Sequence, residues 1–180
     1  MRLSIVVRLV IASLLVIAAV LPTRAQAPAD VWSQFRGNSQ LTGIATSAPS
    51  ATPTLRWTYQ AGESVESSPA IADGTVYVVS SAGDLLALDL ASGQPRWKYS
   101  SGGEVGESSP AVGGGAAFFG DLGGTVHAVN VKDGSRRWTF KTGGEVKSSP
   151  TLSGDLVLIG SYDTHLYALD ATTGAVRWKL

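Results

Sequence analysis

ALDATTGAVRW, residues 168–178, is the stretch that determines the fold, because related stretches precede it at residues 87–97 and 128–138. Each of the three ends in a tryptophan, and a fourth tryptophan lies upstream. Successive members of this series are 40, 41 and 40 residues apart: Trp57, Trp97, Trp138 and Trp178. A repeat of about 40 residues is typical of architectures in which one supersecondary unit stacks on the next.

The repeated unit contains four short runs of β-forming residues. It opens on Ser-Ser-Pro, and the distance from this proline to the closing tryptophan is 28 residues in all three copies. Turn pairs such as Asp73-Gly74 and Ser92-Gly93 separate the runs, since glycine supplies the positive φ that tight turns require. The predicted strands are 67–71, 75–80, 84–89 and 95–99 in the first copy, 116–120, 125–130 and 136–140 in the second, and 156–160, 165–170 and 176–180 in the third.

Four antiparallel strands in about 40 residues predict one blade of a β-propeller. No window carries a helical stripe. The expected fold class is therefore all-β: a β-propeller of four-stranded antiparallel blades, with three complete blades and one orphan strand, hence an incomplete propeller. Residues 76–79 and 156–159 are apolar on both faces, as expected of sheets that neighbouring blades cover on both sides. A solenoid of β-hairpins is the alternative architecture.

Composition divides the chain into three parts. Residues 1–27 have the pattern of a secretory signal peptide, with basic Arg2 and Arg8, an apolar stretch of 13 residues at 9–21, and a predicted cleavage after Ala27. That apolar stretch is short for a membrane span, which needs about 20 residues; an uncleaved anchor is the alternative. Residues 28–54 form an extended lead-in and residues 55–180 the repeats, with blades at about 62–101, 103–141 and 144–180.

Charge and cysteine content exclude several classes of function. Without residues 1–27 the chain keeps 11 basic and 14 acidic side chains, a net charge of −3, whereas nucleic-acid-binding domains usually carry a basic patch. We therefore expect no nucleic-acid partner, and no transmembrane segment after signal cleavage. The chain has no cysteine, which excludes thiolate metal sites, thiol catalysis and lipid attachment through an N-terminal cysteine.

One pattern near the end of each copy predicts how the blades pack. An acidic or amide residue at the end of the third strand accepts hydrogen bonds from turn amides, and a glycine permits the reversal. The tryptophan that follows presents a large flat face to the next blade and buries on the order of 200 Å². The residues of this predicted docking motif are Ala87, Asp89, Gly93, Trp97, Ala128, Asn130, Gly134, Trp138, Ala168, Asp170, Gly174 and Trp178.

This pattern, A-x-D-x-x-T-G-x-x-x-W in residues 168–178, resembles the tryptophan-docking motif of the PQQ-type (quinoprotein-like) β-propeller repeat. The first copy has Ser for Thr, and the second matches more loosely. The lead-in agrees, because Trp-Ser-Gln-Phe-Arg-Gly at 32–37, followed by Gly43, is similar to the segment before the repeats in many exported members. The resemblance implies a propeller of roughly seven or eight blades in a full-length member.

A leftover strand also precedes the repeats. Leu55–Tyr59 matches the fourth strand of a blade, but the three strands that would complete that blade are absent before it. We therefore expect a fragment of a longer propeller; assembly of several copies into a closed ring is the alternative. Open blade faces and an unpaired strand expose apolar surface, so we expect protein partners or self-association through these faces.

The resemblance also implies what an enzyme of this superfamily would contain: pyrroloquinoline quinone and calcium in a central funnel, an adjacent Cys-Cys pair, oxygen ligands and an aspartate base. The chain has no cysteine, and three blades cannot enclose a funnel, although some soluble enzymes of the superfamily also lack the pair. We therefore expect no catalytic, cofactor-binding or metal-binding residues and no cofactor. The remaining candidates have simpler interpretations. His127 is expected to pack and His165 to lie exposed near a strand start, while Glu66, Glu107 and Lys147 are expected to be solvated or hydrogen-bonded between blades.

The sequence therefore predicts an exported, non-enzymatic propeller-repeat protein, periplasmic or secreted, that acts as a protein-interaction scaffold. The superfamily contains such a scaffold in the outer-membrane-protein assembly complex. The alternative is part of a periplasmic dehydrogenase that uses pyrroloquinoline quinone and calcium. A third possibility is a sensor propeller that binds carbohydrate or peptide.

Overall fold

The computed structural model describes residues 31–45, 47–48 and 50–180. The predicted signal peptide, residues 1–27, lies outside these ranges. Within them the chain forms β-strands and no helix, so none of the described residues belongs to a helix able to cross a membrane. The strands are β1 (Ala70–Ala72), β2 (Thr75–Val79), β3 (Asp84–Asp89), β4 (Pro95–Ser100), β5 (Ala111–Gly113), β6 (Ala116–Gly120), β7 (Thr125–Asn130), β8 (Arg136–Lys141), β9 (Thr151–Ser153), β10 (Leu156–Gly160), β11 (Leu166–Asp170) and β12 (Val176–Lys179).

These strands form three four-stranded antiparallel sheets, one for each sequence repeat. Hydrogen-bonded order follows chain order in every sheet, from β1 to β4, from β5 to β8 and from β9 to β12. The predicted fold class is confirmed: the sheets are blades of an incomplete propeller, and they do not close into a ring among the described residues. The orphan segment Leu55–Tyr59 lies ahead of the first sheet and pairs with none of the named strands.

The core lies between the sheets. Strand β6 of the middle sheet is buried at every position, because a sheet covers each of its faces. Phe118 packs into the cluster shared with the third sheet, and Phe119 into the cluster shared with the first. The equivalent strands of the outer sheets, β2 and β10, instead alternate between buried and half-buried residues.

The first strands of the three sheets lie side by side, since β5 contacts both β1 and β9. Strand β1 begins at Ala70, later than the predicted start at Ser67, because the two serines form other bonds. Ser67 Oγ donates to the Val79 carbonyl at 2.9 Å and accepts from the Val79 N–H at 3.0 Å. The Ser68 N–H donates to Ser109 Oγ of the second sheet at 2.9 Å. The Ser-Ser-Pro sequence therefore links strands and sheets rather than extending the first strand.

Candidate functional site

Each sheet receives a tryptophan from the segment of chain before it. The indole Nε1 of Trp97, on β4, donates to the carbonyl of Val131 in the second sheet at 2.9 Å. The other two pairs are Trp57 with the Leu90 carbonyl at 3.0 Å and Trp138 with the Ala171 carbonyl at 3.1 Å. The same contact thus recurs at each of the three sheets, and we call it the tryptophan dock.

A glycine forms the floor of each dock. A Cβ atom at Gly134 would lie 2.8 Å from Trp97 Cε3, too close for a van der Waals contact. Gly134 also has a φ of 74°, in the left-handed region that side chains disfavour. Space and backbone conformation therefore both require glycine. The corresponding distances are 2.5 Å for Gly93 and Trp57 and 2.7 Å for Gly174 and Trp138.

An alanine makes room for the tryptophan on its own sheet. In each sheet this alanine is fully buried and lies opposite the tryptophan in the antiparallel register, and a bulge follows it directly. The small side chain thus lets the ring lie over the sheet before it reaches the next one. The pairs are Ala87 with Trp97, Ala128 with Trp138, and Ala168 with Trp178.

An aspartate at the end of the third strand organises the turn that carries the glycine. Asp170 Oδ1 accepts hydrogen bonds from the N–H groups of Thr172 at 3.0 Å and Thr173 at 2.8 Å, and from Thr173 Oγ1 at 2.9 Å. Asp170 Oδ2 pairs with the Arg177 guanidinium. These bonds hold the pKa of Asp170 well below its usual range, and the bond from Arg177 has a larger effect than the bonds from the turn.

The other two sheets vary this turn. In the first, Asp89 accepts from Ser92 Oγ at 2.8 Å and pairs with Arg96 at 2.8 Å, and the Arg96 bond is the largest cause of its lowered pKa. In the second, the side-chain Oδ1 of Asn130 accepts only a long bond of 3.4 Å from a turn amide. Asp133 instead accepts from a neighbouring N–H at 3.0 Å. The second copy, which matches the sequence motif most loosely, therefore has the third-strand side chain with the weakest hydrogen bond to its turn.

Trp178 has no dock among the described residues. It is 40% exposed, whereas Trp138 is 9% exposed. Trp178 and Leu180 alternate along the chain and so share one face, whereas the bulge places Val176, which pairs with Leu169, on the opposite face. Leu166 exchanges two backbone hydrogen bonds with Leu180, which places it beside Trp178 and Leu180, and all three residues are exposed. We call Leu166, Trp178 and Leu180 the third-sheet face.

The first sheet also has an uncovered apolar surface. A depression of about 250 Å³ opens on it, with Trp57 of the first dock at one side. We call it the first-sheet depression. Its apolar lining includes Trp57, Tyr59, Val65, Val76, Val78 and Leu88.

A buried polar chain joins the first sheet to the second. Tyr99 OH lies 3.0 Å from His127 Nδ1, and His127 Nε2 lies 2.9 Å from Asp121 Oδ2. The imidazole also stacks on Phe119, with ring centroids 4.9 Å apart. Burial raises the pKa of Asp121, but hydrogen bonds from His127 and from the Thr125 N–H outweigh this effect and lower it overall. His127 therefore packs, as expected, but also forms a polar pair that sequence analysis missed.

The remaining candidate residues are exposed or bonded to close neighbours in the chain. Glu66 and Glu107 are exposed, and Lys147 pairs with Glu145 at 3.1 Å. His165 is half-buried, with Nδ1 2.9 Å from the Asp163 carbonyl oxygen. Calcium takes about six to eight oxygen ligands, but no three metal-capable side chains converge anywhere in the described part of the chain. We therefore derive no chemical step through a calcium–quinone centre.

Sequence comparison identifies a family for most of the chain. The family described as outer membrane protein assembly factor BamB matches residues 40–139 and, in a second overlapping alignment, residues 91–180. BamB from Moraxella catarrhalis has a similar solved structure, with 26% identity and a TM-score of 0.62, and the match covers 69% of this chain and 39% of that one. No curated protein matches the chain.

Two dehydrogenases are also structurally similar. Quinohemoprotein alcohol dehydrogenase ADHIIG from Pseudomonas putida HK5 has a TM-score of 0.74 at 21% identity, over 84% of this chain and 26% of that one. The quinohemoprotein alcohol dehydrogenase from Comamonas testosteroni has a TM-score of 0.74 at 22% identity, over 86% and 27%. At these identities the likeness shows the fold alone. The chain spans between about a quarter and two fifths of the length of these three solved proteins.

Proposed function

The chain belongs to the family described as outer membrane protein assembly factor BamB, and from this membership we propose that it is an exported, non-enzymatic β-propeller repeat protein that acts as a scaffold for protein interactions. The signal peptide predicted in residues 1–27 supports a periplasmic or secreted location. The observation that carries the proposal is the apolar surface on the two outer sheets.

The docks indicate what this surface binds. At each dock a tryptophan ring lies against a glycine turn and donates one hydrogen bond to a carbonyl. Trp178 presents the same ring without such a partner among the described residues. Contiguous exposed apolar patches mark protein-interaction sites. The partner that fits is therefore a sheet with a glycine turn at its edge, in another protein or in another copy of this chain.

Sedimentation velocity of the exported chain tests self-association through the third-sheet face. We expect the sedimentation coefficient to rise with concentration, and the double variant Leu166→Ser with Trp178→Ser to reduce that rise. Tyr162→Ser is the matched control, since Tyr162 is 67% exposed but lies outside this face, in the turn between β10 and β11. Equal association of the double variant and the wild type would contradict a role for the face.

Part of a dehydrogenase that uses pyrroloquinoline quinone and calcium is the second candidate. The fold likeness to ADHIIG over 84% of this chain supports it, whereas the lack of converging metal ligands among the described residues does not. Equilibrium titration with the quinone and calcium separates the two functions. Calcium-dependent binding in the micromolar range would favour the dehydrogenase, and absence of binding would favour the scaffold.

A further inference from the structure

The lead-in crosses the inner edge of all three sheets within three residues. Trp32 forms an isolated antiparallel bridge to β1, and the two residues after it reach β5 and β9. The contacts are Trp32 with Ile71, through two backbone bonds of 2.9 and 2.8 Å; the Ser33 carbonyl with the Val112 N–H, at 2.6 Å; and Gln34 Oε1 with the Leu152 N–H, at 3.0 Å. One short segment therefore satisfies a backbone donor in each blade.

The three donors are equivalent positions of the repeat. Ile71, Val112 and Leu152 each follow the repeat's proline by two residues, and each lies on the first strand of its sheet. The first strand is an edge strand, so its outward N–H has no partner in its own sheet. A row of such donors is the feature by which a sheet edge binds an extended peptide. Here the row is made of one donor from each of three sheets.

The lead-in has a compact shape that directs the Gln34 side chain towards this row of N–H donors. The Gly37 N–H donates to the Gln34 carbonyl at 2.8 Å, and the Gly43 N–H donates to the Arg36 carbonyl at 3.0 Å. The Trp32 ring lies so close to Gly37 that a Cβ atom there would be 2.9 Å from it. Gln34 is consequently 2% exposed. The loop and its ring thus hold a buried carboxamide against β9.

We propose that the Ile71, Val112 and Leu152 amides form a peptide-binding edge whose resident ligand is the lead-in. The ligand class is an extended peptide that presents two backbone carbonyls and then a glutamine carboxamide. Residues 50–56, which run from the end of the lead-in towards Trp57, are all exposed and act as a tether. The same segment of a second copy therefore fits the edge when the resident segment is weakened. The edge is separate from the third-sheet face and does not depend on the function proposed above.

Gln34 supplies the specificity of this edge. Burial of a carboxamide is unfavourable unless it is hydrogen-bonded, and Oε1 meets this requirement through Leu152. Gln34 Nε2 has no partner among the described residues, so the Oε1 bond is the contact that selects the side chain. Leucine has a similar size but no acceptor, so it fills the space and leaves the Leu152 N–H unpaired.

Fluorescence anisotropy tests the edge with a labelled synthetic peptide of residues 31–43. The receptor is the full exported chain carrying Trp32→Ala and Gln34→Leu, which weaken the resident segment. We expect saturable binding to this variant and at least about tenfold weaker binding to the wild type, whose tethered segment competes at an effective concentration in the millimolar range. We expect the Gln34→Leu peptide to bind at least about tenfold more weakly than the native peptide, because it lacks the carboxamide acceptor.

Adding Val112→Pro to the receptor is the control on the edge. Proline removes the N–H that meets Ser33, and an edge strand tolerates proline where that N–H faces away from the ladder. Binding should fall with this change. The proposal is overturned if the native peptide fails to bind the folded variant saturably, or if the Gln34→Leu peptide binds equally well.

Hydrogen exchange gives a second readout that needs only a single substitution. In the Gln34→Leu chain we expect the Leu152 amide to exchange at least about tenfold faster than in the wild type, with the Val112 amide unchanged, because only the first loses its acceptor. If the double variant does not fold, this chain also replaces it in the titration. Equal exchange of Leu152 in both chains would refute the proposed contact.

Discussion

Glycine and tryptophan act as a pair at each dock, since the ring occupies the space that any side chain on the glycine would need. Gly134 combines this close approach with a φ of 74°. Gly154 has a similar φ of 61° but nothing within 4 Å of the position of a Cβ atom. The two glycines therefore separate the effect of ring packing from the effect of backbone conformation.

Gly134→Ala should destabilise the fold more than Gly154→Ala. Both variants incur the left-handed penalty of about 1–2 kcal/mol, and Gly134→Ala adds an overpacking cost of about 1–3 kcal/mol. Urea unfolding of the two variants and the wild type measures the difference. Equal losses would mean that the Trp97 ring does not rest on Gly134.

Trp138→Ala should cost about 3–5 kcal/mol in the free energy of unfolding, as other large core truncations do. Trp178→Ala removes the same side chain from an exposed position and should cost about 1 kcal/mol or less. Denaturant unfolding of both variants provides the comparison. A small loss for Trp138→Ala would show that docking contributes little to stability.

At the scale of elements, a side-chain hydrogen bond joins strand β4 of the first sheet to strand β7 of the second. The other sheets lack this bond. The chain Tyr99–His127–Asp121 crosses from the first sheet to the second, whereas leucine, Leu86, occupies the position of His127 in the first sheet. Buried polar groups are stabilising only when each member is paired. The contact therefore couples two particular blades.

A double-mutant cycle with Tyr99→Phe and His127→Leu should give a coupling energy of about 0.5–3 kcal/mol, because the two side chains share one part-buried hydrogen bond. Thermal or urea unfolding of the four proteins measures it. Additive effects would indicate that the hydroxyl and the imidazole contribute independently.

Asp121 should make the stability of this junction pH-dependent. Its folded-state pKa lies below the ordinary value of 3.8, so the carboxylate's contribution is present above that value and is lost as the pH falls through the folded pKa. Unfolding between pH 6 and pH 2 should therefore show a smaller acid-dependent loss in Asp121→Asn than in the wild type. Identical pH profiles would contradict this role. The residual acid dependence is expected to come from Asp89, Asp163 and Asp170, whose pKa values are also lowered.

At the scale of the whole molecule, the three repeats differ because their neighbours differ. Strand β6 is buried on both faces, while β2 and β10 are half-buried at alternate positions. Local opening of a protein is hardest where apolar contacts are densest. The middle sheet is therefore expected to be the most stable part of the described chain.

Native-state hydrogen exchange should show this gradient. Amides of β6 that bond within the sheet should exchange at least about tenfold more slowly than their equivalents in β2 and β10, since opening β6 exposes both core clusters. The equivalent positions serve as internal controls because the strands share their place in the repeat. Uniform exchange across the three strands would indicate that the sheets open as one unit.

Patterns within the sequence are enough to predict the blades and the tryptophan period. Local rules suffice there: alternating β-forming runs, glycine turns and a fixed distance from proline to tryptophan predict Asp84–Asp89, Ala116–Gly120 and Leu156–Gly160 with the bounds observed. The partner that each residue contacts depends on how the sheets pack. The Asp121–His127–Tyr99 chain, the burial of Gln34 against β9 and the exposure of Trp178 depend on which sheets lie alongside, and contacts between residues far apart in sequence leave no periodic signal in a single chain.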